Sequence, residues 1–128
     1  MNKELRIVII VSARNTADKI IRALSAHAFM PFIVRGKGTA PNSVIEALGL
    51  GEPEKDVIFC FADKKDVPKI YSVLTRKFKF TENKTGIAFA IPVSAVGGKL
   101  SLDLMLGNAG NIAKNLGKIQ SEKEKNNE

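Results

Sequence analysis

The chain has 128 residues, of which 45% are hydrophobic, and it carries a formal net charge of +7. This length supports one compact core and leaves no clear room for a second. No apolar run approaches the roughly 18 residues that a membrane span needs. Residues 5–11 lead into a charged helical pattern, so we interpret them as a strand and not as a signal segment. The single cysteine, Cys60, excludes an intrachain disulfide framework. These features predict one cytoplasmic domain over residues 1–117, followed by a polar, disordered tail over residues 118–128.

The excess positive charge lies in the body of the chain, because the tail has equal numbers of lysines and glutamates. A basic body attracts phosphorylated small molecules, nucleic acid or an anionic membrane surface. Nucleic-acid binding usually adds an aromatic stacking platform or a recognition helix. The seven Phe and one Tyr lie mostly in patterns that core packing explains. The sequence therefore disfavours nucleic acid as a partner.

The first half of the chain predicts a strand, a helix and a strand. Residues 5–11 form a near-continuous β-branched run, which is typical of a strand covered on both faces. Residues 17–28 place apolar side chains at helical spacing, after a possible N-cap at Asn15 or Thr16. Residues 29–34 form the second strand, with Pro31 near its start, where a missing N–H is tolerated most easily on a sheet edge.

The second half repeats this order. Residues 40–49 suggest a short helix that stops at Gly49, and residues 56–62 form the third strand. An amphipathic helix over residues 67–78 follows, capped by Asp63 or Asp66. The fourth strand covers residues 86–93, residues 100–106 alternate like a fifth strand, and residues 108–119 suggest a glycine-weakened helix. The order predicts an α+β fold, a ferredoxin-like βαββαβ sandwich with an antiparallel sheet and a short C-terminal extension.

Two helices cover only one face of such a sheet. The first and third strands have apolar residues at consecutive positions, so their second face must also be buried. No remaining segment is apolar and long enough to cover it, and other subunits are the expected cover. The pattern therefore predicts an oligomer.

Two glycine-bearing turns each adjoin an apolar run. The first follows the second strand and contains Arg35, Gly36, Lys37, Gly38 and Thr39. Its counterpart, Lys84-Thr85-Gly86, precedes the fourth strand. Exposed backbone N–H groups beside cations suit phosphate oxygens. The alternative is that these are ordinary turn glycines that supply a positive φ.

The element order and these two turns resemble the PII nitrogen-regulatory signal-transduction proteins over about residues 5–96. The resemblance implies a homotrimer with its sheets inside and its helices outside. It also implies binding of ATP or ADP in clefts between subunits, and a T-loop after the second strand that controls a transporter or a metabolic enzyme. The chain is then a regulator and not an enzyme.

The resemblance places the ligand-binding residues in two groups. Gly36, Lys37, Gly38 and Thr39 occupy the base of the T-loop, and Lys84, Thr85 and Gly86 occupy the phosphate-binding B-loop. The B-loop departs from the family's Thr-Gly-x-x-Gly-Asp-Gly-Lys pattern, because Ile87 stands where a lysine is expected. Gly97-Gly98-Lys99 replaces the two arginines that usually follow the Pro-Val step. A triphosphate needs several cations and N–H donors together, so AMP, a cyclic dinucleotide or bicarbonate is an alternative effector to ATP or ADP.

The segment after the second strand is the expected output element. Four of its apolar residues belong to no predicted core element, so we expect them to contact a partner or to fold back on the cleft. They are Val44, Ile45, Leu48 and Leu50. The alternative is a static helix packed on its own subunit.

The remaining chemistry-bearing residues form no recognisable catalytic or metal motif. His27 has no partner at metal or triad spacing. Cys60 lies between two phenylalanines, which favours core packing over nucleophilic chemistry. Asp63, Asp66 and Glu82 show no paired-carboxylate arrangement. The alternatives to a regulator are a small enzyme on the same scaffold, a metal-tolerance trimer and a nucleic-acid-binding trimer.

Overall fold

The computed structural model describes residues 4–37, 54–83 and 86–107. The helices predicted at residues 40–49 and 108–119, and the tail at residues 118–128, lie outside these ranges. The described chain has the predicted βαββαβ order, with two further helices. Its elements are β1 (Leu5–Ala13), α1 (Ala17–Leu24), β2 (Phe29–Lys37), β3 (Glu54–Asp63), α2 (Val67–Phe78), α3 (Phe80–Asn83), β4 (Gly86–Pro92) and α4 (Lys99–Leu106).

The four strands form one antiparallel sheet in the order β2-β3-β1-β4. β1 is central and pairs with β3 along its whole length, and with β4 on its other side. β2 pairs only with β3 and is therefore an edge strand. Pro31 lies near the start of this edge strand, as predicted, where its missing N–H removes no ladder bond in the sheet interior.

The hydrophobic core lies between one face of the sheet and the helices α1 and α2. Val8 and Ile10 of β1 and Ile58 of β3 have no exposed surface. They pack against α1 and α2, whose central residues Ile20 and Ile70 are also fully buried. Burying one such aliphatic side chain contributes about 1.5–3 kcal/mol. The helical spacing in the sequence therefore correctly identifies Ile20 and Ile70 as core residues of the two helices.

The connection from β3 to α2 is a short 3₁₀ turn, Lys64–Asp66. Asp63 caps this turn, since its carboxylate accepts a hydrogen bond from the backbone N–H of Lys65 at 3.4 Å. Asp66 is the N-cap residue of α2 but accepts no cap hydrogen bond through its side chain. Of the two predicted caps, Asp63 therefore makes the hydrogen bond.

The fifth strand predicted at residues 100–106 is wrong, because the chain forms α4 there. The leucines alternate with other residues, but α4 contains no β-branched residue and is rich in Leu and Met, which favour helices. Glycines bound it at both ends: Gly98 has a φ of 92° and Gly107 a φ of 71°. A left-handed glycine after the last turn is a common helix stop. α4 contacts β2 and β3, and an added Cβ on Gly107 would lie 2.4 Å from the ring of Phe29.

The sheet face opposite α1 and α2 is apolar on all four strands, and we call it the open sheet face. Its residues alternate with the buried core positions and stand opposite one another in the strand register. Four of them have large exposed fractions: 55% for Phe32, 51% for Val34, and 43% each for Phe89 and Ile91. The other members are half-buried, namely Ile7, Ile9, Val11, Val57, Phe59, Phe61 and Ile87.

Candidate functional site

Gly36 and Gly86, one from each predicted glycine segment, lie at the same end of the sheet. In the register, Gly36 of β2 stands opposite Lys55 of β3, which stands opposite Ala13 of β1. Gly86 of β4 stands opposite Ser12, the residue before Ala13 in β1. The fold thus places at one sheet end two glycines that are 50 residues apart in the sequence.

Gly36 and Gly86 are not neighbours within one subunit. β3 and β1 both lie between β2 and β4. Three strand spacings of about 4.8 Å place Gly36 and Gly86 roughly 14 Å apart. A ligand the size of a phosphate group cannot touch both of these glycines in the same chain.

Neither glycine is a turn residue with a positive φ. Gly36 lies within β2 and Gly86 opens β4, and the positive-φ glycines of the described chain are Gly98 and Gly107. An added Cβ on Gly86 would lie 2.6 Å from the ring of Phe80 and 2.8 Å from the carbonyl oxygen of Val11. Gly86 is therefore required for close packing. The turn interpretation of these two positions is wrong.

Among the described residues of this sheet end, cations outnumber carboxylates. Arg35 and Lys37 of β2 are exposed. Arg14 is paired with Glu54, with 2.8 Å between Nη1 and Oε2. Lys55 is only 8% exposed although it stands directly opposite Gly36. The sequence analysis missed Lys55, since nothing in its local pattern separates it from an ordinary lysine at a strand start.

The N-terminus of α1 also lies at this end, and a buried carboxylate already occupies it. Asp56 of β3 is 4% exposed. Its Oδ2 atom accepts hydrogen bonds from the backbone N–H groups of Thr16 and Ala17, each at 3.0 Å. Of the two predicted N-cap residues, Thr16 is the one at that position, but its side chain makes no cap hydrogen bond, which Asp56 supplies instead. The helix terminus is thus satisfied internally and is not free for a ligand anion.

Two cavities adjoin Phe80 on the helix side of the sheet, and Gly86 lines the larger of them. The larger, of about 320 Å³, lies between α2, α3 and β4 and is lined by Tyr71, Thr75, Thr81 and Gly86 together with Phe80. The smaller, of about 160 Å³, lies between the start of α1 and the end of α2. The ring of Phe80 lines both cavities. This ring therefore fills the space beside Gly86 that a longer side chain at position 86 would need.

The structure places three of the predicted ligand residues and leaves the others outside the described ranges. Gly36, Lys37 and Gly86 lie at the sheet end described above. Gly38, Thr39, Lys84 and Thr85 lie in residues 38–53 and 84–85. The predicted partner-contact residues Val44, Ile45, Leu48 and Leu50 also lie outside the described residues.

His27 and Cys60 lie away from this site. His27 Nδ1 is 3.9 Å from Asp66 Oδ1, between the end of α1 and the start of α2. Cys60 is 2% exposed, and burial raises the pKa of its thiol to about 11. A thiol with this pKa is protonated at neutral pH and is a poor nucleophile. The prediction of a core role for Cys60 is confirmed.

The described residues include neither a metal-binding cluster nor a membrane-spanning helix. They contain no group of three or more His, Cys, Asp or Glu side chains able to hold a metal ion. No helix in the described ranges is long and apolar enough to cross a bilayer.

Comparisons with known proteins give matches among solved structures. A PII-like signalling protein from Thermus thermophilus has a TM-score of 0.53 and 14% identity, covering 71% of this chain and 88% of that chain. CPII from Thiomonas intermedia, a nitrogen-regulatory PII-like protein whose structure holds ADP, AMP and bicarbonate, has a TM-score of 0.52 and 13% identity, covering 73% of this chain and 94% of that chain. The divalent cation tolerance protein of Thermus thermophilus has a TM-score of 0.56 and 16% identity, covering 81% of this chain and 97% of that chain.

No protein-family model and no curated protein matches the chain. Identities of this size establish the fold and not the activity, since one fold serves many functions. The antiparallel four-stranded sheet with α1 and α2 on one face agrees with these neighbours. The chain has the ferredoxin-like fold of the PII-like signalling proteins and of the divalent cation tolerance protein.

Proposed function

We propose that the chain is a PII-like regulatory protein, a homotrimeric sensor of an adenine nucleotide that controls a transporter or a metabolic enzyme in the cytoplasm. The observation that carries this proposal is the arrangement of Gly36 and Gly86, one from each glycine segment. They share one sheet end but lie roughly 14 Å apart within a subunit, by the strand spacing. A second copy of the chain alongside the first would bring the two halves of the site together.

The open sheet face supports the trimer. Phe32 and Val34 on one edge strand and Phe89 and Ile91 on the other are between 43% and 55% exposed in the single chain. An apolar face that extends across all four strands is larger than monomeric proteins usually leave in water. Sheets facing a shared axis would bury it and leave α1 and α2 outside.

The charges support an anionic effector. Glu54 and Asp56, the described carboxylates nearest Arg35, Lys37 and Lys55, are engaged elsewhere, since Glu54 binds Arg14 and Asp56 caps α1. Cations together with exposed backbone N–H groups hold phosphate oxygens. The PII-like neighbour CPII holds ADP, AMP and bicarbonate in its structure. We propose that the effector contacts Lys55 and the seven predicted residues Gly36, Lys37, Gly38, Thr39, Lys84, Thr85 and Gly86.

We propose that the segment between β2 and β3, residues 38–53, contacts the regulated partner protein. This segment begins next to Lys37, at the proposed effector site, and ends next to Glu54. Effector binding at its base would change how Val44, Ile45, Leu48 and Leu50 meet the partner. Hydrogen exchange over residues 38–53, with and without effector, tests this, and equal protection in both states would remove the switch from the proposal.

Calorimetry with AMP, ADP, ATP and a cyclic di-adenosine nucleotide tests the effector. Gly38→Val adds a Cβ where backbone must approach the anion, so it should abolish binding and leave the oligomer intact. Lys55→Met should weaken binding at least tenfold. Lys64→Met is the control and should not change binding, because the Lys64 side chain is 64% exposed and lies beyond the opposite end of β3. Absence of heat with every adenine nucleotide would overturn the effector class.

A further inference from the structure

An apolar cavity of about 230 Å³ lies between α1, the start of β2 and β3. Among the described residues that line it are Ile21 and Leu24 of α1, Phe29 and Met30 of β2, and Ile58 and Cys60 of β3. It is distinct from the site proposed above. Phe29 and Gly36 pair with Phe61 and Lys55 of β3, which are six residue steps, or about 20 Å, apart along that strand.

The lining selects against charged ligands. The described lining contains no ionisable side chain except the buried thiol of Cys60, and Ser25 provides its one hydroxyl group. Moving a charged group into such a space without a partner costs far more than moving an apolar one. The cavity therefore suits an uncharged molecule.

The backbone at this cavity is strained. Met30 has a φ of 50°, and the pairing of β2 with β3 shifts between Phe29 and Phe32. Positive φ at a residue other than glycine is uncommon, and such strained residues are concentrated at ligand sites. This strained residue is a methionine that lines the cavity, and its flexible thioether adapts to the shape of a bound molecule.

We propose that this cavity binds a small, uncharged aromatic or branched aliphatic molecule against the side chain of Met30. A cavity of about 150 Å³ lined by Leu, Ile and Phe is large enough for benzene. The present cavity is larger than that, so a molecule of benzene to indole size fits. This proposal does not depend on the nucleotide site, because the two sites share no described residue and are tested by different experiments.

Indole is the probe, and methyl-labelled methionine gives the readout by NMR. The chain has three methionines, Met1, Met30 and Met105. Titration with indole should move the Met30 methyl signal saturably, at least threefold further than the signals of the other two methionines. Indole-3-carboxylate, which has the same ring and a negative charge, should bind at least tenfold more weakly.

Two matched variants test the location. Ala28→Leu adds three carbons at a residue that lines the cavity and should weaken indole binding at least tenfold. Ala26→Leu makes the same change two residues earlier, at an exposed position outside the lining, and should bind indole within twofold of the parent chain. If Ala28→Leu does not fold, Ser25→Leu at the lining replaces it, with the same expectation.

Three results would overturn the proposal. The first is a Met30 signal that does not move up to the solubility limit of indole. The second is a cavity-filling variant that binds indole as the parent chain does. The third is equal affinity for indole and its carboxylate, which would mean that the lining does not select for uncharged ligands.

Discussion

At the residue scale, the contacts of Gly86 explain why this position has no side chain. The Phe80 ring and the Val11 carbonyl oxygen occupy the volume that a Cβ would take. Gly86→Ala should lower the free energy of unfolding by about 2 kcal/mol in the absence of any ligand, since overpacking costs this much. Urea unfolding measures the loss.

Gly97→Ala is the matched control, because nothing lies within 4 Å of an added Cβ there. It should change stability by less than about 0.5 kcal/mol, as expected of a surface substitution. If Gly86→Ala were as stable as Gly97→Ala, Gly86 would have no packing role, and its size would need another explanation, such as close approach of a ligand.

Cys60 predicts a specific alkaline sensitivity. Burial raises the pKa of the folded thiol from 9.0 to about 11. Below pH 9 the thiol is protonated in both states, so it has no effect on the pH dependence. Between pH 9 and 11 the unfolded chain releases the proton first, and stability falls as pH rises, by up to about 1.4 kcal/mol per pH unit.

The comparison with Cys60→Ala isolates this effect from the lysines, which also titrate at high pH. The parent chain should lose more stability than the variant between pH 9 and 11 and show the same slope below pH 8. Parallel curves through the alkaline range would mean that the folded thiol ionises normally.

Single residues differ in how far the sequence reveals them. The burial of Cys60 was predictable, because it lies between Phe59 and Phe61 in an apolar strand, a pattern visible in the local sequence. Asp56 was not, because the N–H groups that it caps lie 39 and 40 residues away in the sequence. The packing role of Gly86 was missed for the same reason, because Val11, one of its two close contacts, is brought beside it by strand pairing.

At the element scale, the start of α1 depends on a carboxylate from another element. Asp56→Ala removes the acceptor of two backbone N–H groups and should lower the free energy of unfolding by about 2 kcal/mol. Asp56→Asn keeps one acceptor oxygen and should lose less. Denaturant unfolding of both variants gives the comparison.

Asp18→Ala serves as the control, since Asp18 also lies in the first turn of α1 but is exposed. Its favourable interaction with the helix dipole contributes about 0.5 kcal/mol. Equal losses for Asp18→Ala and Asp56→Ala would assign the effect of Asp56 to charge alone and not to its hydrogen bonds.

The type of an element was predictable where its apolar residues follow only one spacing, either the 3.6-residue period of a helix or the two-residue period of a strand. α2 places Ile70 and Leu74 inward at helical spacing, and β1 alternates Val8 and Ile10 with half-buried residues. α4 was predicted as a strand because its leucines lie at every second position, which fits the strand period and also gives the four-residue spacing of a helix face. Strand order and register, which place Gly36 and Gly86 at one sheet end, depend on pairing between distant segments and cannot be read from any one of them.

At the scale of the whole molecule, the two faces of the sheet differ in what covers them. α1 and α2 bury one face completely at its centre, where Val8, Ile10 and Ile58 have no exposed surface. The open sheet face repeats aromatic and aliphatic residues across all four strands. Consecutive apolar residues in β1 and β3 made this second face predictable from the sequence. The number of subunits that cover it is not encoded in that local pattern, and light scattering measures it.

Phe89→Glu tests the proposed assembly at the open sheet face. Phe89 is 43% exposed in the single chain and stands opposite Ile9 of the central strand. An unpaired carboxylate buried in each apolar interface costs about 3–5 kcal/mol. The parent chain should scatter light as three times its mass of 13.9 kDa at micromolar concentration, and the variant as one. Because the proposed effector site needs two subunits, the variant should also lose nucleotide binding.

Tyr71→Glu is the matched control for this change, since Tyr71 is an aromatic residue of α2 that is 36% exposed on the helix side. It should remain trimeric, because α1 and α2 would lie on the outside of the assembly. A parent chain that is monomeric at micromolar concentration would overturn the trimer, and with it any site shared between subunits. A trimer that survives Phe89→Glu would instead place the interface on another surface of the molecule.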